Sequence, residues 1–256
     1  MQNELKKKLI NCEITIGSWI TLGSTAITEI MAKAGFDWLV IDLEHSTISI
    51  EMAGEMIRII DLAGVTPLVR LTSNDPDQIK RCLDAGAHGI IVPMVNSSLE
   101  AKNAVSAMHY PPKGNRGVGL GRAQGYGANF SQYINWQKDS SVLIVQIENK
   151  KAIDNLIDIL KVPGVDGFLI GPYDLSCSLG IPGKFKDPVF LNSMETISKV
   201  GSKLGIPGGI HIVEPDLDLL KKSIKNNHKF IAYSVDCRIL EVGSRIGVES
   251  FKGILE

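Results

Sequence analysis

The sequence has no strong excess of charge of either sign and no long apolar run, and each absence excludes a class of protein. Its 27 Lys and Arg residues nearly balance its 28 Asp and Glu residues, so the formal net charge is −1. Nucleic-acid binding usually requires a basic surface, so we expect no nucleic-acid partner. No apolar stretch reaches the roughly 18 residues of a membrane-spanning helix, so we expect no membrane association. The basic cluster Lys6-Lys7-Lys8 is interpreted as a solvated first turn.

Cysteine is also scarce, and its spacing argues against a structural role. The four cysteines lie far apart without the paired spacing of a zinc site or a disulfide framework. The first residues, 2–6, contain no apolar signal core. These features predict reduced thiols in a cytoplasmic protein. The four positions are Cys12, Cys82, Cys177 and Cys237.

Eight short apolar runs, rich in β-branched residues and bounded by Gly, Pro or Asp, repeat along the chain. Such runs are typical of parallel strands that are buried on both faces. The length of 256 residues is close to the ~250 residues of a single (β/α)8 barrel. The predicted strands are 14–19, 38–42, 67–71, 89–94, 143–148, 167–171, 208–212 and 230–236.

Helical patterns separate these strands. Asp75 followed by Pro76 opens one helix, because a capping carboxylate and a first-turn proline favour a helix start. Eight strand–helix units without a change in composition predict one (β/α)8 TIM barrel over residues 1–256. The alternative, an open doubly wound sheet, would normally show a Gly-rich first turn, which is missing here. The other predicted helices are 25–34, 51–62, 98–108, 151–160, 189–204, 215–226 and 238–246.

One connection is unusually long. Residues 109–141 separate the fourth helix from the fifth strand and include a short amphipathic segment at 129–138. Long ordered loops in compact domains are usually functional. The alternative is a tolerated surface insertion.

Polar side chains concentrate where the predicted strands end. The C-terminal ends of barrel strands form one rim, which is where the chemistry of such barrels takes place. The segment 42–45 is the densest of these clusters, and burying its charges costs several kcal/mol unless each has a partner. The alternative for this segment is a helix start capped by Ser46 or Ser49. The residues at the strand ends include Asp42, Glu44, His45, Arg70, Gln146, Glu148, Asp174 and His211.

Two of these carboxylates, Glu148 and Asp174, follow neighbouring strands and can meet. Two carboxylates that close repel unless a cation lies between them. Oxygen-only ligands favour Mg²⁺ or Mn²⁺, with Co²⁺ also possible. The alternative is a carboxylate paired with Arg70.

Arg70 offers a planar fork of donors for a carboxylate or an enolate oxygen, or for Asp42 on the adjacent strand. We interpret Asp42 as a residue that orients Arg70. Glu44 either supports the site or stabilises a helix start. Histidine is the usual general base near neutral pH, so His45 is a candidate for that role, and Asp84, late in the third predicted helix, is a candidate to orient it.

These residues resemble the metal-dependent pyruvate aldolases that act on 4-hydroxy-2-oxo-heptanedioate and 2-dehydro-3-deoxyglucarate. The matching segments run in family order over nearly the whole chain. The longest is Gly-Pro-Tyr-Asp-Leu-Ser-Cys-Ser-Leu-Gly at 171–180. The others are Asp-Leu-Glu-His at 42–45, Val-Arg at 69–70, Val-Pro-Met-Val at 92–95, Tyr-Pro-Pro-Lys-Gly-Asn-Arg-Gly-Val-Gly at 110–119 and Gln-Ile-Glu at 146–148.

The resemblance implies a role for each matching residue. Glu148 and Asp174 would hold a divalent metal ion that pyruvate chelates, and Gln146 would line that site. Arg70 would stabilise the enolate oxygen. The carboxylate of pyruvate would bind backbone N–H groups in the turn formed by Gly171, Pro172, Tyr173 and Asp174.

The resemblance also implies that His45, oriented by Asp84, acts as acid and base through a metal-bound water. It further implies a homo-oligomer, a trimer or hexamer, that exchanges its C-terminal helix between subunits. No lysine stands at a strand end, which favours the metal route over a Schiff base. The expected activity is reversible cleavage of a 4-hydroxy-2-oxo or 2-keto-3-deoxy acid into pyruvate and an aldehyde.

The chain departs from the family pattern after His45, where Ser46-Thr47-Ile48 replaces the usual Gly or Ala followed by Pro. This loop borders the expected aldehyde side. Two other functions stay open: citrate-synthase-like or CoA-ester lyase chemistry on the same barrel, and a non-enzymatic barrel. A CoA site would need basic residues at the rim, and the candidates are Lys113, Arg116 and Arg122.

Overall fold

The computed structural model describes residues 3–255 and confirms the predicted barrel. Eight parallel strands form one closed barrel in which each strand pairs with the next and β8 pairs with β1. The strands are β1 (Thr15–Ile20), β2 (Trp38–Asp42), β3 (Thr66–Arg70), β4 (Gly89–Val92), β5 (Val142–Ile147), β6 (Gly167–Ile170), β7 (Gly208–Ile212) and β8 (Phe230–Val235).

Helices surround this barrel, and each predicted helix is present, with small shifts at its ends in all but the last. The predicted segment 151–160 is divided into two short helices, α7 and α8. Within residues 3–255, no helix combines the length and hydropathy needed to cross a membrane. The helices are α1 (Glu4–Ile10), α2 (Thr25–Ala32), α3 (Ile50–Leu62), α4 (Pro76–Asp84), α5 (Ser98–Met108), α6 (Phe130–Ser140), α7 (Lys150–Asp154), α8 (Leu156–Leu160), α9 (Pro172–Ser178), α10 (Pro188–Leu204), α11 (Leu217–Lys225) and α12 (Asp236–Leu255).

In the described chain, side chains fill the half of the barrel interior that is nearest the N-terminal ends of the strands and leave no open channel there. Trp38 of β2 stacks on Phe230 of β8 with ring centroids 3.9 Å apart, and its indole N–H donates to Thr15 Oγ1 at 3.1 Å. Gly17 of β1 lies against the Trp38 ring, where an added Cβ would come within 2.1 Å of a ring atom. The interior therefore depends on glycine at this position.

Helix α1 closes the N-terminal end of the barrel, which corrects the interpretation of residues 6–8 as a solvated turn. Leu5 and Leu9 of α1 are fully buried in the interior cluster. The ammonium group of Lys6 pairs with Asp166, and that of Lys8 pairs with Asp37 at 2.6 Å. Two of the three lysines thus attach the helix to the barrel.

The long connection also lies at this N-terminal end. It contains a 3₁₀ turn at Arg122–Gln124 and helix α6. The Arg116 guanidinium is buried over the rings of Tyr110 and Tyr133. The connection, together with the loop before β4, lines a cavity of about 360 Å³. In one chain it is therefore remote from the rim where the strands end.

Helix α12 is much longer than the predicted 238–246 and leaves the barrel after its first turn. Its first residue, Asp236, accepts backbone N–H groups of Thr21 and Leu22 at 2.8 to 3.1 Å, which ties the helix start to β1. The side chains described from residue 243 to 254 are all exposed. They include the large apolar residues Ile246, Val248, Phe251 and Ile254.

The packing around Gly17 leads to a stability prediction. Gly17→Ala should lower the free energy of unfolding by about 1–3 kcal/mol or more, because the methyl group must displace the stacked Trp38 ring. Gly54→Ala is the matched control. Its Cβ would meet nothing closer than 3.9 Å on helix α3, so it should raise stability by about 0.5–1 kcal/mol. Urea unfolding measures both changes, and equal stability of the Gly17 variant and the natural protein would contradict this packing.

Candidate active site

The charged residues that were predicted at the strand ends meet at one rim. Asp42 and Arg70 are the last residues of β2 and β3, and Glu148 directly follows β5. Asp174 lies in the first turn of α9, which follows β6. A cavity of about 250 Å³ opens at this rim and is lined by Trp19, His45, Arg70, Gln146, Leu169, Ile170, Gly171, Pro172, Tyr173, Asp174, His211 and Val213.

Arg70 is held by three neighbours. Its Nε and Nη2 donate to the two carboxylate oxygens of Asp42 at 2.8 and 2.6 Å, and Asp42 is only 2% exposed. Its Nη1 lies 3.2 Å from Glu44 Oε2, and its guanidinium lies 4.4 Å from the centre of the Trp19 ring. The expected pairing of Asp42 with Arg70 is present, and Glu44 contacts the same guanidinium.

One of the two residues named as an alternative helix cap does cap the next helix. The Ser49 hydroxyl accepts the Met52 N–H and begins α3. Ser46, the other candidate, donates to the backbone carbonyl of Asp42, which tightens the turn after β2. The cap at Ser49 and the charged cluster at 42–45 are therefore separate features.

Glu148 is a buried carboxylate with few partners. It is 3% exposed and accepts the Met94 N–H at 2.7 Å and the Gln146 Nε2 at 2.5 Å. Burial, together with the negative charges of Glu44 and Asp174, raises its pKa to about 7. Met94 has a left-handed φ of 52°, which is uncommon for a side chain of this size. A strained backbone position thus provides one of the few donors to Glu148.

The surroundings of Glu148 fit a divalent cation. Three carboxylates, those of Glu44, Glu148 and Asp174, affect one another through space, and a cation would relieve their repulsion. Gln146 Oε1 is buried without a hydrogen-bond partner in the part of the chain that the structure describes. Gly171 leaves space beside them, since a Cβ there would come within 2.7 Å of Glu148 Oε2. These donors are all oxygens, as Mg²⁺ and Mn²⁺ prefer. Within residues 3–255, however, no group of three or more His, Cys, Asp or Glu residues forms a complete ligand set.

His45 and Asp84 are not brought together within one chain. The His45 side chain is 65% exposed at the rim, and its Nε2 lies 3.8 Å from Glu44 Oε2. Asp84 ends α4, and barrel helices run antiparallel to the strands, so this end of α4 lies at the opposite end of the barrel. The Asp84 carboxylate pairs there with Arg116 Nη2 at 2.5 Å.

Two aromatic residues form a cavity wall to which no role was assigned from the sequence. Trp19 and His211 lie one residue before the ends of β1 and β7, and their ring centroids lie 5.4 Å apart. Both were recognised only as strand-end residues. Their position near the strand ends was the one sequence signal that could have placed them in the site. An apolar ring and a lone histidine do not by themselves indicate a role.

The basic residues considered for a CoA site do not lie at this rim. Arg116 is buried against Asp84, Arg122 Nη2 pairs with Asp61 at 2.5 Å, and Lys113 donates to the Lys138 carbonyl at 2.9 Å. All three belong to the long connection at the N-terminal end of the barrel.

A closed (β/α)8 barrel with an arginine, a histidine and clustered carboxylates at its C-terminal rim has the architecture of a TIM-barrel enzyme. The chain belongs to the HpcH/HpaI aldolase/citrate lyase family, whose model matches residues 15–241. This confirms the resemblance seen in the sequence motifs and the assignment to the carbon–carbon lyases.

Named relatives are similar over nearly their whole length. A hydroxypyruvate/pyruvate aldolase of Sagittula stellata is 38% identical, with 95% of each chain covered. A 4-hydroxy-2-oxo-heptane-1,7-dioate aldolase of Salmonella paratyphi C is 37% identical, with 97% of this chain and 96% of the relative covered.

Solved structures show the same fold. A HpcH/HpaI aldolase/citrate lyase family protein from Burkholderia cenocepacia superposes with a TM-score of 0.93 at 30% identity, over 98% of this chain and all of that one. The citrate synthase SbnG superposes with a TM-score of 0.84 at 27% identity, over 98% of this chain and 99% of that one.

The raised pKa of Glu148 leads to a prediction for the metal-free protein. The ordinary pKa is 4.5 and that in the folded protein is about 7, so the folded state binds an extra proton between these values. The free energy of unfolding should therefore fall as the pH rises from 5 to 8, by about 3 kcal/mol from this group. Replacing Glu148 with Gln removes this loss, so the variant should gain stability relative to the natural protein over that range. Urea unfolding in EDTA measures it.

Glu55→Gln is the matched control, because it makes the same substitution at an exposed carboxylate on α3. A Glu148→Gln variant whose stability difference from the natural protein does not change with pH would contradict the raised pKa.

Proposed function

We propose that this protein is a divalent-metal-dependent pyruvate aldolase that reversibly cleaves a 4-hydroxy-2-oxo or 2-keto-3-deoxy acid into pyruvate and an aldehyde. The observation that carries the proposal is the buried Glu148 among like charges, with the fixed guanidinium of Arg70 on the same rim. Membership of an aldolase family and the names of the relatives support it.

Glu148 and Asp174 would hold the metal ion, and Gln146 would line its site. A bound Mg²⁺, Mn²⁺ or Co²⁺ ion would supply a Lewis acid to the carboxylate and keto oxygens of pyruvate. The first backbone N–H groups of a helix have no partner within it, so those of Tyr173 and Asp174 in α9 are available to a substrate carboxylate.

Arg70 would stabilise the negative charge that develops on the C2 oxygen when the C3–C4 bond breaks. Asp42 and Glu44 fix its guanidinium before the substrate arrives, so no reorganisation is needed as the charge forms. An arginine locked between two carboxylates and the Trp19 ring suits this role better than a mobile one.

His45 would accept the proton of the C4 hydroxyl during cleavage and return it during aldol addition. Its exposed position at the rim allows this, and Glu44 is the carboxylate nearest to its ring nitrogen in the same chain. Because Asp84 lies at the other end of the barrel, it can orient His45 only from another subunit. The proposed dyad therefore depends on assembly.

Assembly into a homo-oligomer through α12 forms part of this proposal. The exposed apolar residues of α12 have no surface of their own subunit to cover them, and apolar patches of this kind mark interfaces. Exchange of α12 between subunits would bury them.

Citrate-synthase-like chemistry is the second candidate, since a citrate synthase shares the fold. Within one subunit, Arg116 and Arg122 pair with Asp84 and Asp61 at the opposite end of the barrel and provide no cluster at the rim for the phosphates of CoA. Calorimetric binding of acetyl-CoA to the metal-loaded protein would favour this candidate over the aldolase.

The metal requirement is tested by exchange of the pyruvate methyl protons in D₂O and by aldol addition to an aldehyde. Both activities should vanish in EDTA and return with Mn²⁺. Glu148→Gln should lower kcat by a factor of about 100 or more while the protein stays folded. Glu29→Gln, on the exposed face of α2, is the control and should leave both rates unchanged. Activity that survives EDTA would contradict the proposal.

The role of α12 is tested by placing charge on its exposed apolar face. Ile246→Glu together with Phe251→Glu should shift the protein towards monomers in light scattering coupled to size-exclusion chromatography, because burying these charges costs several kcal/mol per site. Lys252→Glu on the same helix is the control. An unchanged oligomer in the double variant would show that α12 does not hold the subunits together.

A further inference from the structure

One wall of the cavity carries no group that moves a proton or meets the developing charge in the proposed cleavage, although its Trp19 ring packs on Arg70. Trp19, His211 and Val213 line it, whereas Arg70, Gln146 and Asp174 line the polar side. The polar side is occupied by the pyruvate portion in the proposed function. The aldehyde portion must therefore lie against the remaining wall, and the chemistry of that wall selects it.

The protonation of the His211 ring is fixed by one contact. Its Nε2 lies 3.1 Å from the Ser234 carbonyl oxygen. A carbonyl only accepts, so Nε2 carries the hydrogen. Burial lowers the pKa of His211 to about 4, so the ring is neutral and Nδ1 holds a lone pair. No side chain or backbone group in the described chain donates to Nδ1.

The carbonyl that orients the ring is itself held in place. Ser234 adopts a left-handed φ of 57°, and its hydroxyl donates to the Val213 carbonyl at 2.9 Å. The Ser18 hydroxyl donates to the same Ser234 carbonyl at 3.2 Å. With the Trp19 ring at 5.4 Å on the other side, His211 is a preorganised acceptor.

The charges around this wall do not suit an anionic aldehyde. Arg70 is the one permanently charged cation that the described chain contributes to the cavity lining, and Asp42 and Glu44 already pair with it. A carboxylate on the aldehyde would meet a neutral lone pair at Nδ1 and would find no free cation on this wall within the described chain. A hydroxyl group, in contrast, can donate its hydrogen to Nδ1.

We infer that His211 sets substrate choice, with Nδ1 accepting a hydrogen bond from a hydroxyl group on the aldehyde portion of the substrate. The inference rests on the proposed aldolase function. Hydroxyaldehydes are the preferred acceptors. The corresponding cleavage substrates are 2-keto-3-deoxy acids with further hydroxyl groups. Aldehydes that carry a carboxylate or only an alkyl chain are disfavoured.

The test compares two acceptors that differ by one group. Glycolaldehyde has a hydroxyl where propionaldehyde has a methyl, and each is added to pyruvate with Mn²⁺. The ratio of their kcat/KM values isolates the hydroxyl. His211→Phe keeps a ring against Trp19 but lacks both nitrogens, so it should lower the ratio about 3- to 10-fold, as for a neutral hydrogen bond. His211→Asn, which keeps an acceptor near the position of Nδ1, should retain most of the ratio.

Two controls make the result decisive. His88→Phe alters the histidine before β4, at the opposite end of the barrel, and should leave the ratio unchanged. Succinic semialdehyde should be a poorer acceptor than glycolaldehyde for the natural protein. An unchanged ratio in His211→Phe, or an equal loss in His211→Asn, overturns the inference. Absence of pyruvate methyl exchange in the natural protein would instead overturn the proposed function, so the two failures are distinguishable.

Discussion

The structure of the rim depends on how buried charge is compensated at the mouth of the barrel. Asp42 is almost fully buried, and an unpaired carboxylate there would cost several kcal/mol. The two parallel hydrogen bonds from Arg70 remove that cost, and they fix the guanidinium in the plane of the carboxylate. Glu44 and the Trp19 ring complete the enclosure. A single ion pair thereby turns a destabilising charge into a rigid element of the site.

Glu148 shows the opposite arrangement, and the contrast gives the rim its polarity. Its two protein donors, the Met94 N–H and Gln146, do not offset its burial, so its pKa is raised to about 7. At one end of the cavity, the charge of Arg70 is paired with the carboxylates of Asp42 and Glu44. At the other end, Glu148 has no positively charged partner in the described chain. That asymmetry separates the group that stabilises a developing anion from the groups suited to a cation.

The fold and most of the rim were predictable because their signals are local. Each buried strand is a short β-branched run, and closure of a parallel barrel places all strand ends at one rim, which brings Asp42 to Arg70. The predicted barrel already placed Asp84, at the end of α4, away from the rim that holds His45, and this consequence was missed. Its pairing with Arg116 was not predictable, because that contact depends on the packing of the long connection. The lysines of α1 were misjudged for the same reason, since Asp37 and Asp166 are distant in sequence. The length of α12 was underestimated because the apolar residues of its second half stay exposed. They pack against no surface of their own subunit in the described chain.

The separate origins of the two cavity walls have a consequence for divergence within this architecture. In the proposed function, the pyruvate side would draw on β3, β5 and the turn after β6, where even a methyl group on Gly171 would collide with Glu148. The facing wall is carried by β1 and β7, with His211 held through β8. Mutations on β7 would alter the acceptor range without disturbing enolate formation, whereas Trp19 of β1 also packs on Arg70. Natural variation and laboratory evolution should therefore accumulate on one half of the barrel while the other half stays nearly invariant.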